Sequence, residues 1–127
     1  MSANEQPIDV VARFCAAWAD GDIAALVEYF TDDAVYHNIP VEPVTGRDAI
    51  RTTIEGFTAG VDRVEFQMLH IAAAGNIVLT ERVDVFTTGA KTIRLPVMGT
   101  FEVVDGHIAA WRDYFDLNQF MSQLTAG

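Results

Sequence analysis

The sequence predicts an α+β domain in which N-terminal helices pack on a curved, mostly antiparallel β-sheet. Three observations lead to this prediction. Apolar residues in the first half recur at helical spacing, four long segments of the second half alternate apolar and polar residues, and short turn signals separate those segments. Helices followed by an antiparallel meander are an α+β arrangement. A curved sheet that closes over helices forms a cone, so we also expect a deep pocket inside it.

Length and composition predict one globular domain, residues 1–127, with a core of its own, because half of the 127 residues are hydrophobic and 20% are charged. The net charge is −10 and only 8 residues are Lys or Arg, so phosphates would be repelled and nucleic-acid binding is disfavoured. The polar N-terminus lacks a signal sequence pattern, and no apolar run is long enough to span a bilayer. We therefore expect a cytoplasmic protein without a membrane or nucleic-acid partner.

The first half of the chain predicts three helices. Apolar residues follow one helical face from Pro7 to Ala19, and Gly21 ends this helix. Asp22 is a candidate N-cap of a second, short helix through Phe30, followed by a turn at residues 31–33. A third helix is predicted from Arg47 to about Ala59.

A short strand is predicted from Ala34 to Asn38, and four long strands follow in the second half. Pro96, inside one of them, indicates an edge, a bulge or a bend, because proline has no N–H to donate to a neighbouring strand. Asp105-Gly106 is a strong signal for a two-residue hairpin turn. Leu117 to Leu124 predicts a final helical turn that caps the pocket. The long strands are predicted at Arg63 to Ala73, Ile77 to Thr87, Lys91 to Val104 and His107 to Asp116.

Charged residues lie on strand faces that are otherwise largely apolar. Alternation gives Arg82 and Asp84 the same face of one strand, and Asp113 shares its face with Trp111 and Phe115. An isolated buried charge is very costly, so these three charges must pair if their faces are buried. The pattern predicts a carboxylate–arginine–carboxylate cluster in an apolar cavity.

The short strand adds two polar groups to this cluster. Tyr36 and Asn38 share one face, and a hydroxyl and an amide two residues apart can hold a water molecule. Each group alone has a more ordinary interpretation. Arg82 and Asp84 could form a surface ion pair, and Asp113 could be an exposed carboxylate. Tyr36 could be a packed aromatic ring, and Asn38 a polar residue at the end of a strand. Their joint occurrence favours a site.

Cysteine and histidine give little support to a metal site. Cys15 is the only cysteine, which excludes an internal disulfide and a cysteine-based metal site, and we interpret it as a small buried residue on a helix. His37, His70 and His107 have no ligand-like spacing, so metal ligation by them is disfavoured.

Three strings, Tyr36-His37-Asn38, Arg82-Val83-Asp84 and Trp111 to Asp116 (WRDYFD), resemble the limonene-1,2-epoxide hydrolase family in their order and gaps. The resemblance covers roughly residues 8 to 120. It implies the cone-shaped nuclear transport factor 2-like (NTF2-like, SnoaL-like) fold and catalysis without a covalent intermediate, cofactor or metal. It also implies a homodimer, for which the outward face of the last strand is a candidate interface.

The resemblance implies a role for each polar residue. Arg82 would hold Asp84 and Asp113, which act as acid and base, while Tyr36 and Asn38 position the attacking water alongside the base. Opening an epoxide requires one neutral and one ionised carboxyl group, and two carboxyls that share one arginine and one proton in a dry pocket meet this requirement. The assignment of Asp113 as base and Asp84 as acid rests on the resemblance, because the residues alone leave the roles exchangeable.

The predicted function is hydrolysis of a small apolar epoxide, cyclic or terpenoid and similar to limonene oxide, to a vicinal diol. An apolar wall with a few convergent polar groups suits such a substrate. Trp111 could equally be part of the core. The candidate substrate-binding residues are Phe86, Leu95, Val97, Trp111, Phe115 and Phe120.

Two alternatives remain open at this point. A ketosteroid isomerase-like or polyketide cyclase-like enzyme of the same fold would use an acidic residue to move a proton next to a carbonyl group, and it needs no arginine between two aspartates. A non-catalytic module that binds a lipid or supports dimerisation is the third interpretation, but such a module gains nothing from burying five polar residues.

Overall fold

The computed structural model describes residues 5–125, which form helices and one mixed β-sheet. No helix in this part of the chain has the length and hydropathy to cross a bilayer. A single 3-10 turn, Trp18–Asp20, follows the first helix. The elements in chain order are α1 (Pro7–Ala17), α2 (Ile23–Val27), β1 (Phe30–Asn38), β2 (Val44–Thr45), α3 (Arg47–Thr58), β3 (Arg63–Ala74), β4 (Ile77–Thr88), β5 (Lys91–Val104), β6 (His107–Tyr114) and α4 (Leu117–Thr125).

The sheet has the strand order β2-β1-β6-β5-β4-β3 and does not close on itself. The strands β3 to β6 form the predicted antiparallel meander, and β2 pairs antiparallel with β1. In contrast, β1 runs parallel to β6. The α+β arrangement with a mostly antiparallel sheet is therefore confirmed. We call the face of the sheet that packs against α1 the inner face.

The core is aromatic and lies between α1 and the inner face. Pro7 occupies the first turn of α1, and the Asp9 carboxylate accepts a hydrogen bond from the Gln6 N–H at the start of the helix. Phe14 is fully buried and makes edge contacts with the surrounding rings, as aromatic pairs prefer. Those rings are Trp18, Tyr29, Phe30, Phe101 and Trp111.

The prediction that the second helix extends through Phe30 was wrong. The helix ends at Val27, and Phe30 starts β1, so the turn predicted at residues 31–33 is strand. Phe30 is fully buried opposite Ile108 of β6, and the Ile108 N–H donates to the Tyr29 carbonyl at 2.7 Å. Pairing with a strand far along the chain therefore outweighs the local turn residues. The strand β2 was also missed, because it has only two residues and these are too few to show alternation.

Pro96 lies where one side of β5 has no neighbouring strand. On one side it pairs with Val83 of β4, but β6 pairs with β5 only from Met98 onward. The open side is covered by α4, whose Gln123 side chain accepts from the Arg94 N–H at 2.9 Å and donates to the Arg94 carbonyl at 2.8 Å. Residues two apart in a strand direct their N–H groups to the same side, so an N–H at position 96 would face away from β4, as the Arg94 N–H does. Proline at this position therefore costs no hydrogen bond to β4. The predicted edge is confirmed locally.

Phe14→Ala tests the aromatic core. We expect the free energy of unfolding to fall by about 3–5 kcal/mol, because the substitution removes a fully buried ring from a close-packed core. Urea unfolding measures the change. Leu79→Ala is the control, since Leu79 is 47% exposed on the opposite face of the sheet and should change stability by less than about 1 kcal/mol. Equal effects of the two substitutions would contradict this view of the core.

Candidate active site

A cavity of about 180 Å³ lies between the inner face of the sheet, α3 and α4. Its wall is mostly apolar, and the polar residues that line it are Tyr36, Asn38, Asp84 and Asp113. The structure therefore brings together the polar residues predicted from three separate strings. Five of the six apolar residues predicted for substrate binding also line the cavity, namely Phe86, Leu95, Val97, Phe115 and Phe120.

Arg82 joins the two aspartates at the base of this cavity. Its guanidinium group binds Asp84 through Nε and Nη2 at 2.9 and 2.8 Å, and Asp113 through Nη1 and Nη2 at 3.1 and 2.8 Å. Both pairs are bidentate, the geometry in which arginine binds carboxylates most strongly. The three residues are each at most 4% exposed, so this is the buried cluster that strand alternation predicted.

The strands place the three charges by their alternation and their order in the sheet. Arg82 and Asp84 are two residues apart on β4 and therefore share its inner face, whereas Asp113 lies on β6, with β5 in between. The ring of Phe66 lies against the guanidinium group, with Cζ 4.6 Å from the ring centroid. An aromatic face attracts a cation, so Phe66 helps to hold Arg82 in place.

Trp111 lies behind the site and does not line the cavity. It is fully buried, with its ring stacked between Tyr36 at 4.2 Å and Phe101 at 5.4 Å between centroids. Its Nε1 donates a hydrogen bond of 2.7 Å to Oδ1 of Asp113. The structure thus separates Trp111 from the other candidate substrate-binding residues, because packing on both of its faces makes it part of the core.

Tyr36 and Asn38 reach the cavity beside Asp113. The parallel pairing of β1 with β6 aligns Asn38 with Asp113 and Tyr36 with Trp111. The Tyr36 hydroxyl donates to Oδ1 of Asn38 at 3.2 Å, which leaves the Asn38 amide group as a donor toward other partners. Burial raises the pKa of the Tyr36 hydroxyl and nearby Asp113 raises it further, so Tyr36 stays protonated near neutral pH.

Burial and the neighbouring charges shift the pKa values of Arg82 and Asp84. Burial lowers the pKa of Arg82, but the two carboxylates more than offset this and hold it well above its ordinary value. Burial raises the pKa of Asp84 to about 6, even though the hydrogen bonds from Arg82 act in the opposite direction. A proton is therefore available on Asp84 at only slightly acidic pH.

The two aspartates differ in their hydrogen bonds. Asp113 accepts three, two from Arg82 and one from Trp111, while Asp84 accepts two, both from Arg82. Asp113 therefore has one more donor directed at it than Asp84 has, and this additional donor is the Trp111 indole N–H.

The cavity is also lined by four residues that were not among the candidates predicted from the sequence. They are Val41, Phe57, Phe66 and Leu117. Strand alternation could have found Phe66, which follows Val64 on the inner face of β3. Helical spacing from the buried Ile54 could likewise have found Phe57. Val41 belongs to a loop, where no periodic signal exists.

Within residues 5–125, no three His, Cys, Asp or Glu side chains come together as ligands for a metal ion. Cys15 is a buried free thiol in this region. Burial raises its pKa to about 12, which keeps it in the protonated, unreactive form.

The open sheet, the helices on its inner face and the buried carboxylate–arginine–carboxylate cluster define an NTF2-like domain with a charged site in an apolar cavity. Residues 5–126 match the sequence model of the limonene-1,2-epoxide hydrolase catalytic domain, and the chain belongs to this family. Epoxide hydrolase EphG of Mycobacterium tuberculosis is 33% identical over 117 residues, which are 92% of this chain and 78% of that protein.

Solved structures agree with this assignment. A limonene-1,2-epoxide hydrolase-like enzyme of M. tuberculosis has a TM-score of 0.81 at 33% identity, covering 93% of this chain and 88% of that chain. A putative polyketide cyclase from Xanthomonas campestris has a TM-score of 0.85 at 20% identity, covering 98% of this chain and 100% of that chain. The second similarity concerns the fold alone. The predicted NTF2-like, SnoaL-like fold is confirmed.

Asp84 should make the stability of the protein depend on pH. Its pKa of about 6 in the folded protein lies above its ordinary value of 3.8. Between these values the folded state holds a proton that the unfolded state has lost, so this contribution to stability is full below about pH 4 and is lost as pH rises through 6. We expect the free energy of unfolding of the wild type, relative to Asp84→Asn, to fall by about 1 kcal/mol between pH 5 and pH 7.

Urea unfolding of the wild type and Asp84→Asn at the two pH values measures this difference. Glu42→Gln removes one exposed carboxylate and is the matched control. A difference that stays constant with pH, or one that is as large in the control, would contradict a raised pKa at Asp84.

Proposed function

We propose that the protein is a cofactor-independent epoxide hydrolase that adds water to a small apolar epoxide and gives a vicinal diol in one step. The observation that carries the proposal is the buried Arg82, which holds Asp84 and Asp113 against an apolar cavity. Membership of the limonene-1,2-epoxide hydrolase family supports it. The class of substrate is a cyclic or terpenoid epoxide similar to limonene oxide.

Asp113 acts as the general base. It removes a proton from a water molecule held by the Tyr36 hydroxyl and the Asn38 amide, and the water oxygen attacks an epoxide carbon. The alignment of Asn38 with Asp113 across neighbouring strands supports this role, as do the three hydrogen bonds that hold the Asp113 carboxyl group in place.

Asp84 acts as the general acid. It gives its proton to the epoxide oxygen as the C–O bond breaks, and its raised pKa supports this role. During the reaction the negative charge moves from Asp113 to Asp84. Arg82 contacts both carboxylates through Nη2, so it stabilises the charge in either place without a change of partner. The proton must return to Asp84 before the next turnover.

The cavity supports a small substrate. Its volume of about 180 Å³ is close to that of engineered cavities of about 150 Å³ that bind benzene. A monocyclic epoxide is therefore the expected size. Apolar contacts with five phenylalanine rings would hold the hydrocarbon part, while the polar groups orient the epoxide.

An isomerase-like or cyclase-like activity is less well supported. Such a site needs no arginine between two carboxylates, so the geometry of Arg82 counts against it. A lipid-binding module would bury the same charges without using them. The cytoplasmic location and the homodimer stay predictions from the sequence.

Hydrolysis of a panel of epoxides in ¹⁸O-labelled water tests the proposal. We expect the wild type to form diols that carry solvent oxygen from the first turnover, because water attacks the epoxide directly. Asp84→Asn and Asp113→Asn should each lower kcat by about a thousandfold or more, the usual scale for loss of a general acid or base. Gas chromatography with mass spectrometry measures both quantities.

Glu81→Gln is the control, since Glu81 is an exposed carboxylate on β4 whose side chain bonds His70 outside the cavity. Its rate should match that of the wild type. The proposal fails if no epoxide yields a diol, if either aspartate variant keeps the wild-type rate, or if first-turnover oxygen comes from the protein.

Leu95→Ala tests the limit on substrate size. Leu95 lines the cavity and is 4% exposed, so its truncation should open space for a second ring. We expect kcat/KM for a bicyclic epoxide to rise about tenfold relative to that for a monocyclic epoxide. Leu79→Ala, outside the cavity, should leave this ratio unchanged. An unchanged ratio in Leu95→Ala would show that Leu95 does not limit substrate size.

A further inference from the structure

Gly99 of β5 lies beneath the contact between Arg82 and Asp113. The strand register pairs Gly99 with Thr80 of β4 on one side and with Asp113 of β6 on the other. A Cβ atom at position 99 would lie 2.5 Å from Arg82 Nη1, 2.7 Å from Asp113 Oδ1 and 2.8 Å from Thr80 Oγ1. All three distances are shorter than a carbon atom tolerates. The site therefore needs a residue without a side chain here, so that Arg82 can reach across β5.

Thr80 is a further buried polar residue, beside Arg82 and Gly99. It is 1% exposed, two residues before Arg82 on the same face of β4. Its Oγ1 accepts a hydrogen bond of 3.1 Å from Arg82 Nη1, and its hydroxyl donates to the Gly99 carbonyl at 3.4 Å. Thr80 is thus a neutral partner of Arg82 within a cluster of charged ones.

The hydrogen bonds of Arg82 are complete only with Thr80. A guanidinium group has five N–H donors. Four of them bind the carboxylates of Asp84 and Asp113, and the fifth binds Thr80. In a buried site a lost partner leaves a donor unsatisfied, and the guanidinium group would then turn toward another acceptor. Such a turn would change how both carboxylates are held.

We propose that Thr80 is a positioning residue of this site: it accepts the one Arg82 N–H that neither carboxylate takes and thereby fixes the plane of the guanidinium group. Gly99 supplies the space in which this plane lies. The effect on turnover rests on the proposed epoxide hydrolysis, because acid and base must act together across one small substrate. Misplacement of either group by a fraction of an ångström lowers the rate of the chemical step more than it weakens binding of an apolar substrate.

Kinetics of Thr80→Val and Thr80→Ser test the proposal. Valine keeps the shape of threonine but cannot accept the hydrogen bond, whereas serine keeps the hydroxyl. We expect kcat of Thr80→Val to fall about tenfold to a hundredfold with KM within about twofold, and kcat of Thr80→Ser to stay within about threefold of the wild type. Thr87→Val, on the same strand outside the cavity lining, is the control and should change neither constant.

A purely structural threonine gives a different result. Thr80→Val would then lower the melting temperature but leave kcat per folded molecule unchanged, and this outcome overturns the proposal. The proposal is also overturned if Thr80→Ser loses as much activity as Thr80→Val, because the hydroxyl would then not be the group that matters.

NMR of ¹⁵N-arginine-labelled protein keeps the proposal testable if Thr80→Val does not fold or if no epoxide is hydrolysed. In the wild type and in Thr80→Ser we expect separate, slowly exchanging Nη protons for Arg82, which indicate a guanidinium group that does not rotate. Averaged Nη signals in the wild type overturn the proposal. A wild type with slow Nη exchange but no diol product would instead contradict the proposed function and leave the positioning role of Thr80 intact.

Discussion

The burial of Arg82 between two carboxylates is the interaction on which the rest of the structure depends. Removing a cation and two carboxylates from water is very costly unless their hydrogen bonds are complete, and here the pairs to Asp84 and Asp113 are both bidentate. Breaking one pair would leave an uncompensated buried charge. The cluster therefore demands a closed, apolar surrounding and an accurate sheet register, because the two carboxylates come from strands that are not neighbours.

The same residues stabilise the core and shape the site. Trp111 fills the space between Tyr36 and Phe101 while its indole N–H binds Asp113. Phe14 of the first helix packs against the edge of this stack. A loss of packing around Trp111 would displace Asp113 as well as weaken the fold. Stability and the geometry of the site are consequently coupled in the half of the core that faces the cavity.

Sequence patterns predicted those parts of the site that follow from local geometry. The inner face of β4 was predictable because side chains of a strand alternate with a period of two, which any pairing preserves. The start of β1 at Phe30 was not predictable, because the polar residues after it indicate a turn and only a parallel partner some eighty residues later makes them a strand. The sequence left open whether Trp111 is part of the core or of the cavity wall. Its two stacking partners, Tyr36 and Phe101, show that it belongs to the core.

By itself the sequence determined the class of fold, the faces on which the charges lie and, through three short strings, the family. These features depend on residue type and spacing along one strand or helix, which a linear sequence contains in full. Only the tertiary structure decided which strands are neighbours, and with them the reach of Arg82 across Gly99, the alignment of Asn38 with Asp113 and the size of the cavity. Hydrogen bonds and steric limits act over about 3 Å between residues far apart in the chain, so no local pattern contains them.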